Sequence, residues 1–489
     1  MFLNESCFTI KITKLLIYLE AAMNFVSTRG NVTKIGFIDT VLMGLANDGG
    51  LLVPEKIPQI SADKLEAMSE LTYQELAFEI FSYYVDGEIP DNELKALIEK
   101  SYATFRHPEV TPVKKVKDNM FVLELFHGPT FAFKDIALQF LGNLYSYVSK
   151  KTGETIHILG ATSGDTGASA IEGVRGKEGI RICILHPHGK VSKVQELQMT
   201  TVDDKSVLNL AIKGTFDDGQ RIIKELFADM NVKNKYHLRA INSINFVRIL
   251  AQTVYYFYAY FQVKKELELQ SVNFSVPTGN FGDIFAGYLA KKMGLPVGKL
   301  IVATNENNIL EGFIRDGVYE PGEFRSTYSP SMDIQVASNF ERYLYYLLGE
   351  DSKAVSDLME KFQSEGKIVV SEEQLRQVKM DFAAHGVEGE ECLQTISKYY
   401  DETSYLLDPH TACGVAAYER CNDSSEVCVT LATAHPAKFN ESVERCNIQQ
   451  TFPEQISQLF NKPQYLEVVE ADKDEVVRHL ETLFRFSAK

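Results

Sequence analysis

The stretch FHGPTFAFKDIALQF, residues 126–140, places a single lysine, Lys134, in an apolar neighbourhood. The apolar run MFVLELF (120–126) is typical of a buried strand, and KDIALQFLGNLYSYVSKKTG (134–153) has apolar residues at helical spacing. Lys134 is therefore predicted at a strand-to-helix junction. Burial and the positive end of the helix dipole both disfavour an ammonium there, which makes the amine more available as a nucleophile. For an arbitrary lysine, extension of the side chain into solvent is the commoner outcome.

Strand-like and helix-like patterns alternate on both sides of this junction, from about residue 115 to residue 305. This alternation predicts an α/β fold with mostly parallel sheets, in which ligands bind beyond the carboxyl ends of the strands. Residues 23–110 are mainly helical in pattern, and we expect a smaller N-terminal domain there. Residues 111–489 are expected to form two α/β subdomains followed by helical segments. Residues 1–22 are interpreted as an uncertain extension, either a targeting segment or the product of a mis-set start codon.

The composition excludes some classes of partner. The net charge is −16, from 50 basic and 66 acidic residues, which argues against nucleic acid or an anionic membrane as the main partner. The seven cysteines are odd in number and show no CxxC spacing, so reduced thiols in a cytoplasmic protein are expected. The ten histidines include no HExxH motif, and no metal site is predicted. No segment reads as a membrane span, so we expect a soluble protein.

Two glycine-rich segments follow predicted strands and open predicted helices: GATSGDTGAS (160–169) and PTGNFGDIFAG (277–287). Their glycines let the backbone approach a ligand closely, and the free N–H groups of a helix start favour an anion. Neither has the spacing of a Walker loop or of GxGxxG. The alternative is that both are ordinary tight turns, the first with a helix cap at Thr166 or Asp165. If both bind ligand, the sequence indicates two anionic groups, or one ligand with two anionic ends.

The segment INSINFVRIL (241–250) is a third candidate. Asn242 and Ser243 lie at a strand-to-helix junction, and Arg248 follows on the first turns of an otherwise apolar helix. A guanidinium suits bidentate contact with a phosphate or a carboxylate. A surface arginine beside capping residues is the alternative interpretation.

The segment LATAHPAKF (431–439) follows an apolar strand, and the Thr433 hydroxyl there can hydrogen-bond a ligand heteroatom. Its alternative is a simple turn before Pro436. Taken together, an amine that binds an aldehyde and glycine loops for a phosphate meet the needs of pyridoxal 5'-phosphate (PLP). A nucleotide-phosphate binder without PLP remains the alternative from the loops alone.

Five motifs occur in one order along the chain: HGPTFAFKD, SGDTGAS, NSINFVR, PTGNFGD and TAHPAKF. The ordered set resembles the longer, PLP-dependent threonine synthases, and STRG (27–30) with GLANDGGLLVP (44–54) resembles that family's N-terminal signature. The resemblance runs from residue 23 to about residue 450. It implies fold type II of the PLP enzymes, similar to tryptophan synthase β, with mostly parallel sheets, flanking helices and a smaller helical N-terminal domain.

The resemblance also implies a role for each matching residue. Lys134 is implied to carry the cofactor and to act in catalysis, Thr433 to face the pyridine nitrogen, and Ser163 to hold the substrate carboxylate. The implied cofactor-binding residues are Lys134, Asp165, Gly279, Asn280, Phe281, Gly282, Asp283 and Thr433. The implied substrate-binding residues are Ser163, Thr166, Asn242, Ser243 and Arg248.

The implied reaction converts O-phospho-L-homoserine and water to L-threonine and phosphate, by β,γ-elimination followed by β-addition of water. This is the last step of threonine biosynthesis. The alternatives with the same cofactor are a threonine-synthase-like phospho-lyase and an amino-acid dehydratase. A non-catalytic binding protein of the same fold is disfavoured because Lys134 and both glycine loops are intact. We expect a cytoplasmic monomer or homodimer with no nucleic-acid or membrane partner.

Overall fold

The computed structural model describes residues 23–423 and 425–485, so the interpretations of residues 1–22 concern a segment outside the described residues. The strands are β1 (Phe25–Ser27), β2 (Leu52–Pro54), β3 (Val113–Lys117), β4 (Met120–Glu124), β5 (Ile156–Ala161), β6 (Ile180–Pro187), β7 (Val207–Lys213), β8 (Leu238–Ala240), β9 (Val272–Pro277), β10 (Val297–Thr304), β11 (Val318–Tyr319), β12 (Ile368–Val369), β13 (Phe382–Gly386), β14 (Cys428–Ala432) and β15 (Glu467–Glu470).

Most strands belong to two large sheets. The first has the order β13-β10-β9-β14-β4-β3 and is parallel except for the antiparallel β3–β4 pair. The second has the order β15-β7-β6-β5-β8 and is parallel throughout. Every residue of β4, β9 and β14 is buried, as expected of parallel strands that helices cover on both faces. The prediction of mostly parallel sheets is confirmed.

The described residues also form helices, some of which begin directly after the loops that the sequence singled out. They are α1 (Phe37–Met43), α2 (Ala62–Met68), α3 (Tyr73–Val85), α4 (Asp91–Tyr102), α5 (Lys134–Thr152), α6 (Asp165–Val174), α7 (Lys193–Thr200), α8 (Phe216–Ala228), α9 (Met230–Lys235), α10 (Phe246–Glu266), α11 (Gly282–Lys292), α12 (Ile309–Asp316), α13 (Phe340–Leu347), α14 (Ser352–Glu365), α15 (Glu372–Asp381), α16 (Gly389–Thr403), α17 (Pro409–Cys421), α18 (Asn440–Arg445), α19 (Glu454–Ser457) and α20 (Lys473–Arg485). None of these described helices is long and apolar enough to cross a membrane.

Residues 23–110 hold four helices and the short antiparallel pair β1–β2. Their apolar side chains share one hydrophobic cluster with those of α5, α10 and α11. The domain boundary near residue 110 therefore stays a prediction, because the core is continuous across it.

A buried arginine ties the N-terminal part of the chain to the rest. The Arg342 side chain is fully buried, and its Nε donates to the carbonyl of Leu52 at 3.1 Å. Its two terminal nitrogens donate to the Ile244 carbonyl and to Asn339 Oδ1. One side chain thus holds β2, the segment before α10 and the start of α13 together, which satisfies three buried acceptors.

Helices α5 and α6 cross with their backbones in contact. A Cβ added to Gly142 would lie 2.0 Å from the Gly173 carbonyl oxygen, and one added to Gly173 would lie 2.5 Å from the Leu138 carbonyl oxygen. No side chain fits between the two backbones. This crossing sets the distance between Lys134, the first residue of α5, and Asp165, the first residue of α6.

Substitution Gly142→Ala is expected to lower the midpoint of thermal unfolding, because overpacking at a backbone contact costs about 1–3 kcal/mol. Gly312→Ala is the matched control, since Gly312 is also helical and its added Cβ would come no closer than 3.7 Å to an atom beyond its own helix backbone, the Val318 carbonyl oxygen. The control is expected to keep or raise the midpoint, because alanine is the better helix former. Circular dichroism measures both; a Gly142→Ala protein as stable as the control would contradict the account of the crossing.

A buried carboxylate lies at the start of α11. Asp283 Oδ1 accepts hydrogen bonds from the hydroxyls of Tyr255 and Tyr256 at 2.5 and 2.9 Å, and Oδ2 is buried with no partner among the described residues. Burial raises the pKa of Asp283 to about 7, against the two tyrosine hydrogen bonds, which lower it. The folded protein therefore keeps a proton that the unfolded chain releases near pH 4.

Because this pKa is raised in the folded state, the stability it contributes is present at low pH and is lost as the pH rises toward about 7. Substitution Asp283→Asn removes this titration. The melting temperature of the variant relative to the native protein is expected to be higher at about pH 8 than at about pH 5. The control is Asp357→Asn, at an aspartate whose side chain is 61% exposed. A difference that does not change with pH would show that Asp283 is ionised throughout.

Candidate active site

Three adjacent strands of the first sheet end at one edge, and their loops meet there. Loops leave β4 toward Lys134, β14 toward Thr433 and β9 toward Gly279, with β14 in the middle. The Phe133 N–H donates to the Thr433 carbonyl at 2.8 Å, so the lysine turn and the threonine loop are hydrogen-bonded directly. From the second sheet, β5 and β8 are neighbours and bring the loops of residues 162–165 and 241–245. The candidate residues therefore gather where parallel strands end, as predicted.

Lys134 is buried at the first residue of α5, which confirms its predicted place at the strand-to-helix junction. The turn before it is held by Asp135, whose carboxylate accepts from the Thr130 N–H at 2.7 Å and from the Thr130 hydroxyl at 2.6 Å. The Arg106 guanidinium lies 3.5 Å from the centre of the Phe131 ring and donates to the carbonyls of the same turn. The turn is thus fixed by polar contacts on both sides.

The Lys134 amine faces a carboxylate across the site. Its Nζ lies 3.6 Å from Asp165 Oδ2. Helices α5 and α6, whose backbones touch at their glycines, thus bring opposite charges together at their first residues. Asp165 Oδ1 is contacted more closely by Lys438 Nζ, at 2.7 Å, and accepts from Gln195 Nε2 at 2.8 Å. The Ser331 hydroxyl donates to Asp165 Oδ2 at 3.3 Å. Lys438 and Gln195 were not among the residues predicted from the sequence.

These contacts decide the protonation of both groups. Burial alone would raise the pKa of Asp165, but the Lys438 and Lys134 ammonium groups hold it well below its usual range. Asp165 is therefore ionised and can only accept hydrogen bonds. Burial lowers the pKa of Lys134, and the nearby Arg248 and Lys438 lower it further, against Asp165, which raises it. The amine is thus shifted toward its nucleophilic, neutral form.

The first glycine loop ends in α6, as predicted, but its helix cap differs. The alternative interpretation, with the helix cap at Thr166 or Asp165, is wrong, because Gly164 occupies the N-cap position and has no side chain to accept a bond. Instead, the Thr162 hydroxyl accepts from the Gly164 and Gly167 N–H groups at 3.0 and 2.9 Å. The side chains of Thr166 and Asp165 are then not committed to capping. Ser163, in the same loop, is exposed.

The second glycine loop approaches a neighbouring backbone closely. A Cβ on Gly279 would lie 3.1 Å from the Ser331 carbonyl oxygen, so a larger residue would press on that segment. Asn280 Oδ1 accepts from the Gly282 N–H at 2.9 Å. Phe281 has a φ of 64°, in the left-handed region, and its ring is buried against Phe340. Strain of this kind persists where the surroundings fix the backbone, and it is frequent at ligand-binding turns.

Phe281 and Asp283 turn their side chains into the core, the first toward aromatic rings and the second toward two tyrosines. Only their backbone groups can face a ligand at this loop. The sequence could not show whether Phe281 and Asp283 would face a ligand with the side chain or with the backbone, since both residues lie in the same predicted strand-to-helix turn.

Arg248 places a buried guanidinium at the site, and no acidic side chain among the described residues forms an ion pair with it. It is 3% exposed, and its Nη1 has no hydrogen-bond partner among the described residues. Asn242 Oδ1 is likewise buried and unpartnered, and the Ser243 hydroxyl lies 3.1 Å from that of Ser338. A buried, unpaired guanidinium is costly unless an anion meets it. The surface-arginine interpretation is therefore wrong, and the residues present fit a phosphate-bearing ligand.

Two other features of the described residues bear on the chemistry. No group of three or more His, Cys, Asp or Glu side chains is placed to hold a metal ion in the part of the chain that the structure describes. A cavity of about 660 Å³ lies beside the lysine turn and is lined by Arg106, Phe131 and His435 among others, but not by Lys134. The amine belongs instead to the cluster of charged groups described above.

Family descriptions match the chain in three consecutive parts. They are "Threonine synthase N terminus" over residues 24–102, "Pyridoxal-phosphate dependent enzyme" over residues 105–371 and "Threonine synthase, C-terminal" over residues 411–480. The threonine synthase of Schizosaccharomyces pombe is 46% identical over 459 residues, which cover 87% of this chain and 89% of that protein. The threonine synthase of Pseudomonas aeruginosa is 47% identical, over 90% of this chain and 94% of that protein.

Solved structures agree with the sequence comparison. The crystal structure of threonine synthase from yeast superposes with a TM-score of 0.91 at 42% identity, and covers 95% of this chain and 99% of that one. The PLP-bound threonine synthase from Brucella melitensis gives a TM-score of 0.91 at 42% identity, over 95% of this chain and 100% of the other. Similarity of this extent in sequence and fold establishes that the chain belongs to the threonine synthase family of pyridoxal-phosphate-dependent enzymes.

Proposed function

We propose that this chain converts O-phospho-L-homoserine and water to L-threonine and phosphate, with PLP attached to Lys134. The observation that carries the proposal is one buried site that combines a deprotonation-prone amine, Lys134, with an unpaired guanidinium, Arg248. The amine suits an aldehyde cofactor, and the guanidinium suits a phosphate. The names of the relatives, threonine synthase, support threonine as the product.

The cofactor is proposed to bind where the three loops of the first sheet meet. When bound, PLP draws electrons from the α-carbon of an attached amino acid, which eases removal of the hydrogen there. Asp165, ionised, serves as an acceptor, and the Thr433 hydroxyl is a neutral partner for the pyridine nitrogen. The residues proposed to hold the cofactor are Lys134, Asp165, Gly279, Asn280, Phe281, Gly282, Asp283 and Thr433, of which Phe281 and Asp283 act through the backbone.

Lys134 is proposed to move protons at the substrate α-carbon. With substrate bound, its amine would lie close to that carbon, and proximity supplies much of the rate of a proton transfer. The lowered pKa of Lys134 leaves the amine free to accept that proton and to return it.

The substrate phosphate is proposed to lie against Arg248, Asn242, Ser243 and Thr166, with Ser163 toward the substrate carboxylate. Because this phosphate becomes the leaving group, a guanidinium held in place stabilises the charge that develops as it departs. Burial excludes water from the contact and so strengthens it. We also propose a cytoplasmic location and a monomeric or homodimeric state.

The purified protein, supplied with PLP and O-phospho-L-homoserine, is expected to release threonine and phosphate in equal amounts. Amino-acid analysis and a phosphate assay measure the two products. Substitution Lys134→Ala is expected to abolish threonine formation together with the visible absorbance of lysine-bound cofactor. A predominance of 2-oxobutyrate over threonine would contradict the proposal and favour the phospho-lyase. Absence of the coloured species in the native protein would favour a non-catalytic binding protein.

The role of Arg248 distinguishes a threonine synthase or a phospho-lyase, which both act on a phosphate-bearing substrate, from an amino-acid dehydratase. Substitution Arg248→Met is expected to raise the KM for O-phospho-L-homoserine at least about tenfold, since a bond to a charged group contributes about 1.5–3 kcal/mol. The cofactor absorbance is expected to remain. Arg315→Met, at an arginine that is 62% exposed on α12, is the matched control. An unchanged KM in Arg248→Met would show that the substrate phosphate does not bind at Arg248.

A further inference from the structure

Lys438 is a buried lysine that none of the roles above uses. It lies in the 3-10 turn Pro436–Phe439 that follows β14, and its side chain is 0% exposed. Its Nζ contacts two acceptors, Asp165 Oδ1 at 2.7 Å and the Thr130 carbonyl at 2.7 Å. The turn that precedes Lys134 and the carboxylate that faces Lys134 are therefore both bound by this one ammonium.

The charged groups that act on the Lys134 amine include the Asp165 carboxylate, the Arg248 guanidinium and the Lys438 ammonium. Asp165 in turn faces Lys438 and Lys134 and accepts from Gln195 and Ser331. Asp135 also faces Lys438; burial raises the pKa of Asp135, against the hydrogen bonds from Thr130 and the nearby Lys438, which lower it. Asp165 is the carboxylate within ion-pair distance of both Lys134 and Lys438.

The two distances show which lysine interacts more strongly with Asp165. Lys438 lies 2.7 Å from Asp165, against 3.6 Å for Lys134. An attraction between charges in a poorly screened site falls as they separate, and an ammonium at hydrogen-bond distance also satisfies the oxygen that it contacts. Lys438 thus balances the charge of Asp165, and Asp165 attracts the Lys134 ammonium less strongly.

We propose that Lys438 is a positioning residue that neutralises Asp165, so that Asp165 orients the Lys134 amine without keeping it protonated. The inference deepens the proposed function and rests on Lys134 as the cofactor-bearing residue. Without Lys438, the buried carboxylate has Lys134 as its remaining direct ion-pair partner, and it holds that amine as an ammonium. An ammonium has no lone pair with which to attack an aldehyde, so attachment of the cofactor slows.

The test measures Lys134 in the full-length protein freed of cofactor. Trace acetic anhydride labels unprotonated amines, and peptide mass spectrometry compares Lys134 with Lys353, whose side chain is 81% exposed, across a range of pH. In Lys438→Met, the labelling of Lys134 relative to Lys353 at neutral pH is expected to fall about tenfold, with its midpoint moved to higher pH. Re-attachment of added PLP, followed by visible absorbance, is expected to slow in the same pH range.

The double variant Asp165→Asn with Lys438→Met separates an electrostatic role from a structural one. It replaces the charged pair by neutral groups, so Lys134 is no longer held by a carboxylate, and its labelling is expected to return at least to the native level. Circular dichroism confirms that each variant folds; if Lys438→Met alone does not fold, the pair is judged from Asp165→Asn and the double variant. Asp165→Asn alone is expected to move the midpoint to lower pH.

Two outcomes would overturn the inference. One is an unchanged midpoint for Lys134 in Lys438→Met. The other is a double variant in which Lys134 remains as poorly labelled as in Lys438→Met; Lys438 would then act by packing alone. Where Lys438→Met does not fold, the corresponding outcome is a double variant in which Lys134 is labelled less than in the native protein. No substrate is present in this test, so a shifted midpoint would support the role of Lys438 even if the protein formed no threonine. Threonine formation together with an unchanged midpoint would contradict the role of Lys438 and leave the proposed function intact.

Discussion

The ionised carboxylate of Asp165 is the interaction on which the site depends. It is the group that links the two sheets electrostatically, since Lys134 begins a helix after the first sheet and Asp165 begins one after the second. A buried carboxylate among buried cations is stable when its oxygens are met by hydrogen-bond donors. Lys438, Gln195 and Ser331 provide those contacts to Asp165.

The backbone contact between α5 and α6 makes this electrostatic arrangement possible. Gly142 and Gly173 let the two helices approach until only backbone separates them, and the charged residues stand at the first turn of each. Lys134, the proposed cofactor-bearing lysine, is therefore positioned by rigid helices and by a turn that Asp135 and Arg106 hold. Preorganisation of this kind spares the enzyme the cost of ordering these groups during the reaction.

Local patterns predicted much of the fold and part of the site. The junction at Lys134, the parallel strands and the glycine loops follow from periodicity and glycine placement over a few residues. Lys438 could not be found in this way, because its burial depends on Asp165, which lies far away in the chain. The inward turn of the Asp283 carboxylate depends in the same way on tyrosines of α10. The capping role of Thr162 was missed because a serine, a threonine and an aspartate compete in one short loop.

The most direct test of the account is to locate the cofactor on the chain. Borohydride reduction of the native protein fixes PLP to the lysine that carries it, and peptide mass spectrometry then identifies that residue. We expect the pyridoxyl group on Lys134, because burial lowers the pKa of this amine and because it lies farther from Asp165 than Lys438 does. A pyridoxyl group on Lys438, or on neither of the two buried lysines, would contradict it.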